Sequence, residues 1–215
     1  MLSAVAFIDR RQGRWEEALE GLQTALELDP LRALNALEVG TTLRGLRRYE
    51  ESQEVLERAI TLAPEQEEGY RQLAITFQAQ GDLSKARATL EAMPREDTAP
   101  SIEAWVLQDL YERNYLEALE RLSAYPEMPP GQSSRASWEG WIFSLLGDSA
   151  RSRSAYEIAR RQLEEELKQG PLNPWWAYSE LGEALLGLGR KEEALWAANR
   201  ASQLLPISRD SPMGA

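Results

Sequence analysis

The feature that most limits how this chain can fold is a recurrence. Gly13-Arg14-Trp15-Glu16-Glu17-Ala18-Leu19 returns almost unchanged as Gly189-Arg190-Lys191-Glu192-Glu193-Ala194-Leu195. The residues after each block repeat too: Leu22, Ala25 and Leu28-Asp29-Pro30 come after the first, Ala198, Ala201 and Leu205-Pro206 after the second. A step of 34 residues carries Ala18, Ala25 and Pro30 onto Ser52, Ala59 and Pro64, with Tyr49 where Trp15 stood. A second step reaches Gly81, Leu83, Ala86 and Leu90, preceded by Tyr70, Leu73, Ala74 and Phe77. Self-similarity at such a period marks a chain made of stacked units, none of which can bury its apolar face alone.

The residue types at these positions specify paired helices. Two antiparallel helices need small side chains where their axes approach most closely, and Ala18, Ala86, Ala118 and Ala194 are placed to be those crossing points. Tyr70, Leu73 and Phe77 fall at i, i+3 and i+7, an apolar stripe along one helix. Glycine or arginine ahead of each second helix marks the turn between partners. Pro30, Pro64 and Pro206 close the second helices, because proline cannot continue a helix. In the middle of the chain the pattern departs from regularity. Pro94 and Pro126 arrive early and predict short second helices, whereas the helix beginning after Gly147 predicts an extension to about Gln169, stopped by Gly170-Pro171. Asn173-Pro174 reads as an N-cap followed by the first helical position of the last unit.

With small, large and proline positions in this order, the chain resembles the tetratricopeptide repeat, a helix-turn-helix unit of about 34 residues. The resemblance implies an all-α fold, an α-α superhelix (a solenoid of about six helix-turn-helix units) that is irregular in the middle. The units fall at about 1–32, 33–66, 67–98, 99–132, 133–173 and 174–208 of a single array, with 209–215 as a tail. Arg11-Gln12-Gly13-Arg14-Trp15 and Leu46-Arg47-Arg48-Tyr49 are also similar to arrays attached to bacterial signalling proteins such as adenylate cyclases and winged-helix regulators.

Composition narrows the chemistry. The chain has 215 residues, no histidine and no cysteine. This removes Ser-His and Cys-His nucleophile pairs, imidazole acid–base chemistry, disulfides and most transition-metal sites. A formal net charge of -11 repels phosphate backbones and anionic membrane surfaces. The apolar start, Met1 to Asp9, is too short to span a bilayer. The expectation is a cytoplasmic, non-catalytic protein with no cofactor, no metal, no nucleic-acid partner and no membrane contact. A hydrolase on this scaffold would need carboxylates alone, and the paired acids Glu16-Glu17, Glu50-Glu51 and Glu192-Glu193 do not supply a dyad, since adjacent helical residues point apart.

The resemblance places ligand-reading side chains on the first helix of each unit, on the concave side of the array. Those positions are Leu34, Leu37, Thr41 and Arg44 in the second unit, Glu68, Arg71, Ile75 and Gln78 in the third, and Trp176, Ser179, Glu183 and Leu186 in the last. Their mixture of apolar and charged groups suits an extended peptide or a helix laid in a groove. Clamping of a chaperone C-terminal carboxylate is excluded, because Ser3, Phe7, Glu38, Glu68 and Gln72 stand where that use of the family needs lysine, arginine and asparagine. Trp138 and Trp141, at i and i+3, and Trp175-Trp176 either pack between helices or form an aromatic groove. Arg151, Arg153, Arg160 and Arg161 read as a salt-bridged face with Glu157 and Glu164-Glu165-Glu166. The expected function is a protein-interaction scaffold for a protein or peptide partner, alternatively the sensor or regulatory arm of a larger bacterial signalling enzyme or transcription regulator. The absence of an amphipathic capping helix after Pro206 adds an expectation of homo-oligomers through open ends.

Overall fold

The computed structural model describes residues 2–94, 98–124 and 134–206. Among the described residues all regular structure is α-helical, in the order α1 (Leu2–Arg11), α2 (Trp15–Leu28), α3 (Ala33–Gly45), α4 (Tyr49–Leu62), α5 (Glu67–Gln80), α6 (Leu83–Glu91), α7 (Ala99–Tyr111), α8 (Tyr115–Ala124), α9 (Arg135–Leu145), α10 (Ser149–Gln169), α11 (Pro174–Gly187) and α12 (Lys191–Leu204); odd-numbered helices are the first and even-numbered the second helices of successive repeats. The chain divides into two compact units, Met1–Glu112 and Arg113–Pro206. Pro126, the junction near 132 and the tail 209–215 lie outside the described residues.

The small residues do what their spacing predicts. Ala18, Ala86 and Ala118 are completely buried and Ala194 nearly so. The repeat also places serine at two of these crossings, and the hydroxyl is used. Ser52 Oγ donates to the Gly40 carbonyl at 2.8 Å, and Ser152 Oγ donates to the Gly140 carbonyl at 2.9 Å. Each glycine lets the second helix close in: a Cβ on Gly40 would stand 2.6 Å from the Leu56 side chain.

In the first unit one apolar cluster joins Ala6, Leu19, Leu22, Val39 and Leu43 from α1 to α3, and another joins Leu56, Leu73, Phe77, Leu90, Met93 and Trp105 from α4 to α7. In the second unit Leu163, Ala177, Leu181, Leu185 and Ala197 link α10 to α12. Each leucine buried completely contributes roughly 2 kcal/mol of transfer free energy. Helix lengths follow the prolines and glycines. α6 has 9 residues, whereas α10 runs for 21 and stops at Gly170, whose φ of 72° is the left-handed cap that glycine favours. Asn173 does precede Pro174 at the first turn of α11, but its side chain makes no capping hydrogen bond there.

Candidate functional site

In the first unit the first helices α3 and α5, and α5 and α7, lie against one another. Four of the expected partner-reading residues on them are engaged in bonds of the fold itself. Arg44 Nη1 donates to the Gln72 main-chain carbonyl at 3.2 Å and to its side-chain Oε1 at 2.5 Å. Burial, and then the neighbouring charge of Arg71, lower the Arg44 guanidinium below its ordinary value. Gln78 Nε2 donates to Gln108 Oε1 at 2.9 Å. Thr41 Oγ1 donates to the Glu38 carbonyl of its own helix at 3.0 Å. Arg71 pairs with Glu68 one turn earlier, at 2.5 Å. Arg10 extends the series from α1, reaching Glu38 at 3.0 Å and Thr42 Oγ1 at 3.3 Å. Leu37 packs against the cluster around Leu56 and Leu73. Ile75 is half-buried, and Leu34 is exposed. The sequence reading singled out the rung residues Arg44 and Gln78, but not that Gln72 and Gln108 accept from them; a side chain near 30 residues away is legible once the repeat period is set into register.

In the second unit two expected residues come together in one cleft of about 100 Å³ between α9 and α11, floored from α10. Trp141 stands on α9 with 43% of its surface exposed, its ring centroid 5.7 Å from that of Trp138. Glu183 and Glu180 line the opposite wall from α11, and Tyr156 lies beneath. The Tyr156 ring is admitted by two glycines, since a Cβ on Gly140 or on Gly187 would stand 2.7 Å or less from its carbons. Loss of hydration in the cleft raises the Glu183 carboxyl above its ordinary range and, with the Glu183 charge, raises the Tyr156 phenol. The buried Trp138 indole N–H has no acceptor among the described residues. Ser179 and Leu186 are exposed on α11, while Trp176 packs against the cluster around Leu163 and Leu181. Trp175 is half-buried. Tyr156 and Glu180 escaped the sequence reading. Their signal was glycine at 140 and 187, spaced to take an aromatic ring from the intervening helix.

Arg151, Arg160 and Arg161 of α10 and one member of each of two acidic pairs form ion pairs one helical turn apart. Arg151 pairs with Asp148, Arg160 with Glu157 and Glu164, and Arg161 with Glu157. Glu51 and Glu193, each the second member of an acidic pair, bind Arg48 and Arg190 one turn before them. A wider apolar cleft of about 510 Å³ lies beside α12, where Tyr178 meets Trp196 edge-on at 5.6 Å. Among the described residues no group of three or more acidic side chains is arranged to hold a metal ion, and no helix is long and apolar enough to cross a membrane.

Two family models, both described as tetratricopeptide repeat, match residues 43–108 and 144–212. No curated protein matches the chain. Among solved structures, a tetratricopeptide repeat protein from Parabacteroides merdae ATCC 43184 aligns with a TM-score of 0.67 and 17% identity, over 96% of this chain and 82% of its own. PilF of Pseudomonas aeruginosa aligns at 0.64 and 15% identity, over 95% and 90%. YrrB, described as a tetratricopeptide-repeat protein with an unusual peptide-binding site, aligns at 0.53 and 14% identity, over 88% and 96%. At these identities the likeness is one of fold, the α-α superhelix of helix-turn-helix repeats. Proteins of this fold are generally non-catalytic scaffolds for protein–protein interaction. The repeated helix pairs, the small residues at their crossings and the matches in both halves make this chain a member of the tetratricopeptide-repeat family.

Proposed function

We propose that the chain is a non-catalytic scaffold that binds a peptide or protein partner on the face built by its first helices, the concave side in arrays of this family. The observation that carries the reading is Trp141, a first-helix indole left 43% exposed beside a second indole. Exposed aromatic clusters on a rigid helix are where interfaces concentrate their binding energy. The bonds between first helices in the first unit support the same reading, because side chains already fixed lose little freedom when a ligand arrives. Leu34, exposed on α3, offers the first unit an apolar contact.

The test is affinity capture from a lysate of the organism that encodes the chain, scored by mass spectrometry. Three tagged proteins are compared: the parent, a Leu34→Glu, Trp141→Ser variant, and a control carrying Glu54→Lys on the exposed side of α4. A partner held by the parent and the control but lost by the first-helix variant is the expected outcome. Equal recovery by all three places binding elsewhere and overturns the reading.

A further inference from the structure

We propose that the cleft between α9 and α11 is a receptor for one basic side chain, a lysine or arginine of the partner peptide; this rests on the first-helix reading above and names what part of that face recognises. The walls have the chemistry of a cation site. Trp138 and Trp141 present two indole faces, Tyr156 a third ring, and Glu180 and Glu183 the acidic wall. Aromatic faces attract cations through their quadrupole, and a carboxylate beside them supplies the full charge. A cleft of about 100 Å³ has room for an ammonium or guanidinium head.

The rest of the chain shows what is missing here. Three first-helix carboxylates are met by a cation of the chain itself: Glu38 by Arg10, Glu68 by Arg71, Glu139 by Arg135. Other rings are likewise covered from within, Phe7 by Arg10, Phe77 by Lys85 and Phe143 by Arg151, the last at 4.5 Å. Among the described residues no cation pairs with Glu183, and none lies over Trp138 or Trp141. Glu183 and the two indoles thus offer the pairing chemistry the chain uses elsewhere, with no cation of the described residues upon them. The net charge of -11 favours a cationic partner at long range.

The experiment is a titration of the whole chain followed by the indole N–H signals in nitrogen-15 NMR, with Trp138 and Trp141 assigned through Trp138→Phe and Trp141→Phe variants. The probes are the N-acetyl, N′-methylamide forms of lysine, arginine and norleucine, the last matching lysine in shape without its charge. Saturable shifts of the Trp138 and Trp141 signals with lysine or arginine, absent with norleucine and weakened at least about tenfold in Glu183→Gln, are expected. The other indole signals report that the variant keeps its fold. Equal response to norleucine, no saturable shift with either cation, or an unchanged response in Glu183→Gln each overturns the proposal. Failure here is separable from failure of the wider reading: a captured partner lost with Leu34→Glu, Trp141→Ser but retained by Glu183→Gln leaves the first-helix face standing and removes the cation.

Discussion

Arg47 and Arg113 hold the left-handed backbone, φ 60° and 63°, at the turn where Gly13, Gly81, Gly147 and Gly189 hold it in other pairs. A side chain costs about 1–2 kcal/mol in that conformation. Replacing either arginine with glycine is expected to stabilise its unit by about 0.5–1 kcal/mol net of the added freedom of the unfolded chain, raising the melting temperature. Calorimetry of Arg47→Gly and Arg113→Gly checks this. The reverse holds at Gly40, where alanine would press into Leu56 and is expected to cost about 2 kcal/mol. At this scale the sequence was most readable where a position tolerates one size: Ala18 and Ala86 were placed by period alone. The bonds of Ser52 and Ser152 to glycine carbonyls were not readable, because a small residue is all the spacing demands and the hydroxyl's partner depends on how closely the helices approach.

At the scale of the helix, second helices start in two ways. Asp82 and Asp148 accept from the main-chain N–H three residues on, from Lys85 and Arg151, and those bonds hold both carboxyls below their ordinary range. At Arg14, Arg48 and Arg190 the same position makes no side-chain cap. Asp82→Ala is expected to cost about 1 kcal/mol in urea denaturation, and an Arg48→Asp substitution to recover part of that amount for α4. Lengths of α6 and α10 were legible from Pro94 and Gly170-Pro171, since those residues forbid continuation. The tie between α6 and α7 was not. Arg87 bonds Glu112 and, at 3.0 Å, the fully buried Asp109. Arg87→Met strips a guanidinium from a buried carboxylate and is expected to cost about 3 kcal/mol. The bond from Arg87, then that from Gln108, holds the Glu112 carboxyl below its usual value. A depressed carboxyl contributes stability that is full above its unfolded value and is lost as pH falls through the folded one. The urea midpoint is therefore expected to drop on acidification below the ordinary glutamate range, and to drop less steeply in Arg87→Met. Glu103 and Glu183, raised above the ordinary glutamate range, act in the opposite sense and in a higher window: they cost stability at neutral pH and return it as pH falls through their folded values, before the loss from Glu112 begins.

Over the whole molecule, the charge of -11 sets how a basic partner would approach. Its association rate is expected to fall several-fold between about 0.05 and about 0.3 M salt, while dissociation changes little, as stopped-flow fluorescence from Trp141 would record. The succession of short helices and its family were legible in the sequence because a period needs no knowledge of contacts. The cleft at Trp141 and Glu183 was legible only as two separate candidates, since the residue that joins them, Tyr156, sits on the helix between. In the first unit the substantial contacts of each helix are with its chain neighbours, or with the next first helix, as from α3 to α5 and α5 to α7. The bonds Arg10 to Glu38, Arg44 to Gln72 and Gln78 to Gln108 likewise each span close to one repeat of chain. Under a pulling force such a unit has no long-range clasp whose rupture frees everything at once. It lengthens in small increments, one helix pair after another, and shortens again in the reverse order when the load is removed, so a partner held across several pairs would stiffen it in proportion to the pairs it covers.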